Sequence, residues 1–388
     1  MTSKTPKIMI LYASYGDGHY QASKAIEAVF RSKGVSEVFL LDLMAEAHPV
    51  LNGLTKFVYL QSFKTLPSIY GWVYNFTKEM QPETSLLGVI NSFGINKLQQ
   101  LINKAQPDLI IHTFPQIAMP RLFKKTGKSL PFVNVVTDFD LHGRWIHPDV
   151  DRYYVATDDL KQEMIDRGIS HERILVSGIP LKPDFVPERI PETEALAHLD
   201  PSKKTILLMA GAYGVMGGIR DISETILASG RYQIVAVCGK NEDLYRGLNE
   251  AFGSSPDFHL FSYVNQVAAF MRASDGIITK PGGITLSEAL ACRLPIFLYR
   301  PVPGQELNNA LYLKNKGIAR IANNPKSLAA QIDALLTNES DLSDLIQKIE
   351  NLRKPEAAEV IVDDIMTQWF EPASSELVLT AEGSSYIW

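Results

Sequence analysis

The feature that most constrains this chain is a repeated alternation of short, predominantly apolar runs with helical patterns, in two sets. The first set of runs, rich in Val, Ile and Leu, lies at Lys7–Ala13, Val38–Asp42, Leu109–His112, Phe132–Thr137, Arg152–Ala156 and Arg173–Ser177. Helical patterns such as Ala22–Arg31 and Leu160–Arg167 separate them. Continuous apolar runs, instead of in-out alternation, mark strands covered on both faces, and strands joined through helices pair in parallel. A second set follows at Thr205–Ala210, Gln233–Gly239, Phe258–Tyr263, Gly276–Lys280, Pro295–Tyr299 and Ile318–Ile321. The expectation is an α/β chain with two Rossmann-like domains. Each needs its own core, which 388 residues, 46% of them apolar, can supply.

Between the sets, residues 179 to 204 carry Pro180, Pro183, Pro187, Pro191 and Pro201, a spacing that disfavours both sheet and long helix. The expected limits are therefore an N-terminal domain over 1–180, a linker over 181–204 and a C-terminal domain over 205–355. A further helix over 356–370 would cross back onto the first domain, and 371–388 reads as a loose, Ser-rich tail. Ligands of parallel α/β sheets bind at the carboxyl ends of strands, so two such domains put the site in the cleft between them.

Several classes are excluded or disfavoured early. A net charge of -5 argues against a surface built to neutralise nucleic-acid phosphates. The longest uncharged run, Thr205–Ile219, has 15 residues and four glycines, too short and too broken to span a bilayer. The stretch after Lys4 and Lys7 runs straight into a glycine loop and reads as a first strand instead of a leader. Cys238 and Cys292 stand alone, without CxxC spacing or neighbouring histidines, and read as buried thiols of a reducing compartment.

Four loops carry candidate chemistry. Ser14-Tyr15-Gly16-Asp17-Gly18-His19 follows the first strand and opens a helix, with His19 where a dinucleotide loop would carry its third glycine. A helix N-terminus disfavours the cationic imidazole and keeps it a neutral base, although a capping or packing role fits the same position. Gly211-Ala212-Tyr213-Gly214-Val215-Met216-Gly217-Gly218 follows the first strand of the second set, and so many glycines would be costly in a regular element. Lys280-Pro281-Gly282-Gly283-Ile284-Thr285 ends a strand and opens a helix whose free N–H groups suit a diphosphate, with Thr285 adding a hydroxyl. Glu288, one turn in, would aim a carboxylate at hydroxyls such as those of a ribose; it is equally good helix design. Pro303-Gly304-Gln305-Glu306-Leu307-Asn308-Asn309 offers the mixed donors and acceptors that sugar hydroxyls need, or simply a solvated surface.

Asp138-Phe139-Asp140 spells a metal-binding DxD, but the helix-end amides already answer a diphosphate's charge. Asp138 therefore reads as acceptor-binding or base-assisting, with no metal ligand and no cofactor expected. Phe57–Phe76 holds seven aromatics in 20 positions, among them Phe57, Phe63, Tyr70 and Trp72, with Lys56, Lys64 and Lys78 at its flanks or within it. Leu109–Thr137 holds Arg121, Lys124, Lys125 and Lys128 and no acidic residue. Aromatics beside basic groups suit an anionic membrane surface, and a share of the aromatics would equally serve a core.

Together these loops resemble the monogalactosyldiacylglycerol synthase and processive diacylglycerol glucosyltransferase family, inverting transferases of the GT-B fold. The resemblance runs through Gly16-Asp17-Gly18-His19, Thr137-Asp138, Ala156-Thr157, Met209-Ala210-Gly211-Ala212, Cys238-Gly239-Lys240, Thr279–Glu288 and Pro303-Gly304-Gln305-Glu306. It implies a UDP-sugar co-substrate, with Tyr263 and Val264 framing the uracil. Gly211–Val215 and Gly282–Thr285, with Gly18 and Lys280, would hold the diphosphate; Glu288 would hold the ribose, and Gln305 with Glu306 the hexose. His19 would face a diacylglycerol or glycosyl-diacylglycerol acceptor, at the cytoplasmic face of a membrane that the protein visits peripherally. Glucose is the sugar implied, added once or several times, as in making a lipoteichoic acid anchor. Galactosyl transfer, UDP-GlcNAc transfer to a peptidoglycan lipid precursor and UDP-sugar epimerisation stay open as alternatives.

Overall fold

The computed structural model describes residues 5–13, 17–47, 71, 76, 78, 95–116, 118–127, 129–186, 193–214 and 216–371. Two parallel six-stranded sheets organise them. The first is built from β1 (Ile8–Tyr12), β2 (Val38–Asp42), β3 (Leu109–His112), β4 (Phe132–Val135), β5 (Arg152–Val155) and β6 (Ile174–Val176) in the order β2-β1-β3-β4-β5-β6. The second comprises β7 (Lys204–Met209), β8 (Tyr232–Val237), β9 (Phe258–Phe261), β10 (Gly276–Thr279), β11 (Ile296–Tyr299) and β12 (Ala319–Ala322), ordered β12-β11-β10-β7-β8-β9. Each set of runs thus forms one sheet. Several strands stop one or two residues short of the apolar run: β4 ends at Val135, which frees Thr137 and Asp138 from the ladder.

The first sheet is accompanied by α1 (Gly18–Ser32), α2 (Leu43–Ala47), α3 (Ile95–Ala105), α4 (Ala118–Thr126) and α5 (Asp158–Asp166). The second has α6 (Ile219–Leu227), α7 (Glu242–Phe252), α8 (Val267–Arg272), α9 (Gly283–Ala291), α10 (Gln305–Asn315), α11 (Pro325–Leu336) and α12 (Glu339–Leu352). Both sheets are sealed on both faces: Ile8, Ile10 and Leu109 on one face and Leu11 and Ile110 on the other are wholly buried in the first sheet, as are Ile206, Leu208 and Phe297 on one face and Ile277 on the other in the second. Residues 179 to 203 form only short 3-10 turns where they are described, at Pro183–Phe185 and Glu194–Leu196, and Lys204, expected to end the linker, already opens β7. Cys238 is buried as expected, whereas Cys292, at the C-cap of α9, is only half-buried.

The final helix α13 (Ala357–Trp369) leaves the second sheet and lies against α1, adding Ala358, Ile361, Val362 and Ile365 to the core over Ile8, Ile10 and Tyr154. Arg152 donates from Nε and Nη2 to the Asp364 carboxylate at 2.6 and 2.7 Å, and the Tyr154 hydroxyl donates to Asp364 at 2.8 Å. A forked Arg–carboxylate pair of this kind fixes direction as well as distance. The two crossings between the halves touch, since a Cβ on Gly178 would stand 2.3 Å from the Lys354 side chain.

Strand order reverses between β1 and β3 and between β10 and β7, and at such switch points the loops at the carboxyl ends splay apart and leave a crevice. The His19 loop stands at the first, and the glycine loops after β7 and β10 at the second.

Candidate active site

α1 and α9 point their N-termini at one another across the cleft. The two helix ends touch, since a Cβ on Gly18 would stand 3.4 Å from Ile284, and a Cβ on Gly283 would lie 2.1 Å from the carbonyl oxygen of Thr137, in the segment that follows β4. Glycine at 283 is thus required by proximity. In the Lys280–Thr285 loop the Gly282 N–H is spent on the Lys280 carbonyl at 2.9 Å, and the first helical bond of α9 runs from Leu286 N–H to the Gly282 carbonyl. The N–H groups of Gly283, Ile284 and Thr285 therefore head the helix with no backbone partner among the described residues, the arrangement that accepts an anion.

The loop after β7 is a tight turn closed by Gly214 N–H to the Gly211 carbonyl at 2.9 Å. Gly214 has φ +58, and a Cβ there would lie 2.3 Å from Asn241 and 2.5 Å from the Cys238 carbonyl. Asn241 pins this turn: its Nδ2 donates to the Gly214 carbonyl at 2.9 Å while its Oδ1 caps α7. At the mouth, the Lys240 ammonium sits 6.0 Å from the Tyr213 ring and 5.3 Å from the Tyr263 ring, with Tyr263 41% exposed and open to a planar ligand.

His19 is fixed by two partners: its Nδ1 lies 2.7 Å from the Thr113 carbonyl and 3.1 Å from Thr137 Oγ1. A carbonyl oxygen only accepts, so Nδ1 carries the proton and Nε2 keeps its lone pair. No hydrogen bond from a described residue occupies Nε2. Burial lowers the imidazole's proton affinity, opposed by the nearby Asp138 charge and the Thr113 carbonyl. His19 is accordingly a neutral, oriented base.

Asp138 follows β4 and is buried. Its Oδ1 accepts from Gln305 Nε2 and from Asn309 Nδ2, the latter at 3.2 Å. Burial raises its proton affinity, while His19, Gln305 and Asn309 pull it down. Asp140, its partner in the DxD spelling, accepts from Lys78 at 2.6 Å and from Asn308 at 2.9 Å. Both carboxylates thus face protein donors.

Glu288 projects from the second turn of α9 toward Asp17 and Lys182, and burial raises its carboxyl to about 8. No described side chain donates to it, and it keeps partial exposure at the cleft. Gln305 and Glu306 begin α10, but neither points freely into the cleft: Gln305 holds Asp138, and Glu306 accepts from Val302 N–H at 3.3 Å with Lys280 3.8 Å away. Burial also raises the Glu306 carboxyl, against the pull of Lys280.

The structure therefore gathers His19, Asp138, Gly18, Gly283, Ile284, Thr285, Glu288 and Gln305 around one cleft. Arg121, Lys124 and Lys125 lie together on α4, with both lysines exposed. Val215 and the aromatics Phe57, Phe63, Tyr70 and Trp72 lie outside the described residues. Sequence reasoning missed Thr113, Asn241, Asn308 and Asn309. Asn309 sat within a loop already singled out, but the signal was only a polar residue four positions after Gln305.

Residues 19–181 match the family model described as monogalactosyldiacylglycerol (MGDG) synthase, and residues 193–352 match that of glycosyl transferases group 1. The chain is 39% identical over 367 residues to a processive diacylglycerol beta-glucosyltransferase of Bacillus cereus (strain AH820), covering 94% of each protein. It is equally similar, over the same lengths, to the protein of that name from Bacillus thuringiensis (strain Al Hakam). Among solved structures, a UDP-N-acetylglucosamine 2-epimerase superposes with a TM-score of 0.61 at 17% identity, covering 96% of this chain and 98% of that one. The MurG of Acinetobacter baumannii superposes with a TM-score of 0.58 at 16% identity, covering 93% and 99%. These structural likenesses establish the GT-B arrangement of two Rossmann-like domains.

Proposed function

The chain belongs to the family of processive diacylglycerol beta-glucosyltransferases, and we propose that it moves glucose from UDP-glucose to the hydroxyl of 1,2-diacylglycerol in a single inverting step. Its product would be an acceptor for further additions. The observation that carries the reading is a base and an anion cradle facing each other across one cleft: His19 Nε2 on one side, the free amides of α9 on the other.

In this mechanism the diacylglycerol oxygen forms a bond to the anomeric carbon from the face opposite the leaving group. Its proton passes to His19 Nε2, and the bond from the anomeric carbon to the β-phosphate oxygen breaks, releasing UDP. Charge collects on that oxygen as the bond opens, and the preorganised amides of Gly283, Ile284 and Thr285 meet it. Glu288 accepts from the ribose hydroxyls, Tyr263 and Val264 lie along the base, and the turn from Gly211 to Gly214 backs the phosphates. Asp138 stabilises the imidazolium that forms. Gln305 and Glu306 read the hexose once it displaces their present partners. The mechanism calls on no metal or cofactor.

In this reading the UDP-sugar side lies on residues 205–355 and the acceptor side on residues 1–180, completed by α13. We place the membrane contact there too, on Arg121, Lys124, Lys125 and the aromatic stretch that holds Phe57, Phe63, Tyr70 and Trp72. No helix among the described residues is long and apolar enough to cross a membrane, and a surface contact of basic and aromatic groups is the form of attachment that fits a cytoplasmic-leaflet lipid. The test is His19→Ala: transfer should fall about 1,000-fold, a typical loss for a general base, with UDP binding retained. Near-normal turnover in that variant would dismiss the assignment.

A further inference from the structure

α10 carries a polar face whose occupants all reach the other domain. Gln305, Asn308, Asn309, Tyr312 and Lys316, the last just beyond its end, follow the spacing of one helical stripe. Gln305 and Asn309 meet Asp138, Asn308 meets Asp140, and Tyr312 and Lys316 meet Asp159 at 2.6 and 2.7 Å. Phe139 stacks on Tyr312 with ring centroids 5.7 Å apart. One helix of the sugar-nucleotide domain thus clasps three carboxylates of the acceptor domain.

At the centre is Asn309, wholly buried. Its Oδ1 accepts the Phe139 N–H at 2.9 Å, and its Nδ2 donates to Asp138 Oδ1 at 3.2 Å and to the Pro281 carbonyl at 3.1 Å. Both donor hydrogens of the amide are spent and its oxygen is engaged, and with no exposed surface the side chain presents nothing to a substrate. Two of the partners belong to the turn that carries Asp138, and the third to the loop that heads α9. We propose that Asn309 is a positioning residue for the transfer, setting Asp138 and the diphosphate loop in one fixed register so that base side and leaving-group side are aligned together. The proposal rests on the transferase reading above, but its geometry does not.

A distinctive readout follows from the groups around Asp138: His19 on α1, Asp140 on its own loop, and Gln305 and Asn309 on α10. A hydrogen bond donated to a carboxylate favours its charged form. Removing the Asn309 donor therefore makes Asp138 easier to protonate. Where the Asp138 charge is needed for turnover, the acid limb of the pH–rate profile moves to higher pH. A helix that merely docks would move nothing of the kind. Were His19 alone required, loss of the neighbouring charge would move the limb the other way.

The experiment compares Asn309→Ala and the isosteric Asn309→Asp with a double control, Tyr312→Phe with Lys316→Met, which loosens the same helix at its far end. UDP-glucose and diacylglycerol in micelles are the substrates. The Asn309 variants should lose about 100-fold in kcat, the scale of a misplacement near 1 Å, with the acid limb displaced upward. The control should keep both kcat and the limb while raising KM for UDP-glucose. Carboxyl-13C NMR of aspartate-labelled protein, assigned with Asp138→Asn, reads Asp138 directly and should show the same upward displacement without turnover. Wild-type limbs in both Asn309 variants, or an equal shift in the control, would overturn the proposal. An inactive wild type with a displaced Asp138 titration would count against the transferase reading alone.

Discussion

Glu288→Gln gives the sharpest test of how the cleft stores electrostatic work. A carboxyl raised from 4.5 to about 8 is a cost to the fold, since the unfolded chain ionises freely where the folded one does not. The sign follows from the direction: stability is whole below pH 4.5 and is lost as pH rises through 8. At pH 7 the loss integrates to about 3 kcal/mol as an upper figure, growing toward about 5 kcal/mol above pH 8. The Gln variant carries no such term. Its thermal midpoint should exceed the wild type's by about 6 °C at pH 7, at roughly 2 °C per kcal/mol for a chain of this size, and the two should converge near pH 4.5. Binding reads the same group from the other side. Ribose hydroxyls donate to a carboxylate and stabilise its charge, so UDP must expel the proton that about 0.9 of the wild-type Glu288 carries at pH 7. Calorimetry in two buffers of different ionisation enthalpy measures the release, and subtracting the Glu288→Gln value removes the phosphate's own contribution. A Gln variant no more stable than wild type at pH 8, or an equal proton release in both proteins, would refute the assignment.

Further outcomes can be measured directly. Gly283→Ala must move the loop or part the domains, because its Cβ would stand 2.1 Å from the Thr137 carbonyl; UDP affinity should fall at least about tenfold by calorimetry, with the thermal midpoint nearly unchanged. Asp364→Ala strips Arg152 and Tyr154 of their shared partner and should destabilise the chain by about 3 kcal/mol in urea unfolding, while Lys33→Ala, at the exposed pair with Asp363, should cost under about 1 kcal/mol. Asn241→Ala frees the Gly214 carbonyl and should weaken UDP about tenfold, again by calorimetry.

Both sheets were legible in the sequence because strands covered on two faces are built mostly from apolar residues, with buried polar ones such as Asn134 and Gln233 the exceptions. The strand ends were less so: Thr137 and Asp138 follow Val135 without a break in pattern, although the ladder stops and chemistry begins there. His19 was visible from its place at the head of a helix, but its partner Thr113 lies 94 residues away and no local signal links them. The polar face of α10 was the least readable element. Asn308, Asn309 and Tyr312 look the same whether they face water or the carboxylates of another domain, and only the fold distinguishes the two. Gln305 and Glu306 were expected to wait for a sugar and instead occupy themselves with Asp138, Val302 and Lys280. In the proposed mechanism, hexose binding would have to release them.

The most direct measurement offers the purified protein UDP-[14C]glucose or UDP-[14C]galactose with 1,2-diacylglycerol in micelles and resolves the organic-soluble products. The account predicts label from glucose in monoglucosyl-diacylglycerol first and in diglucosyl lipid later, with UDP released in equal amount. Label that stays in water, or a UDP-sugar converted to its epimer without any lipid product, would contradict it.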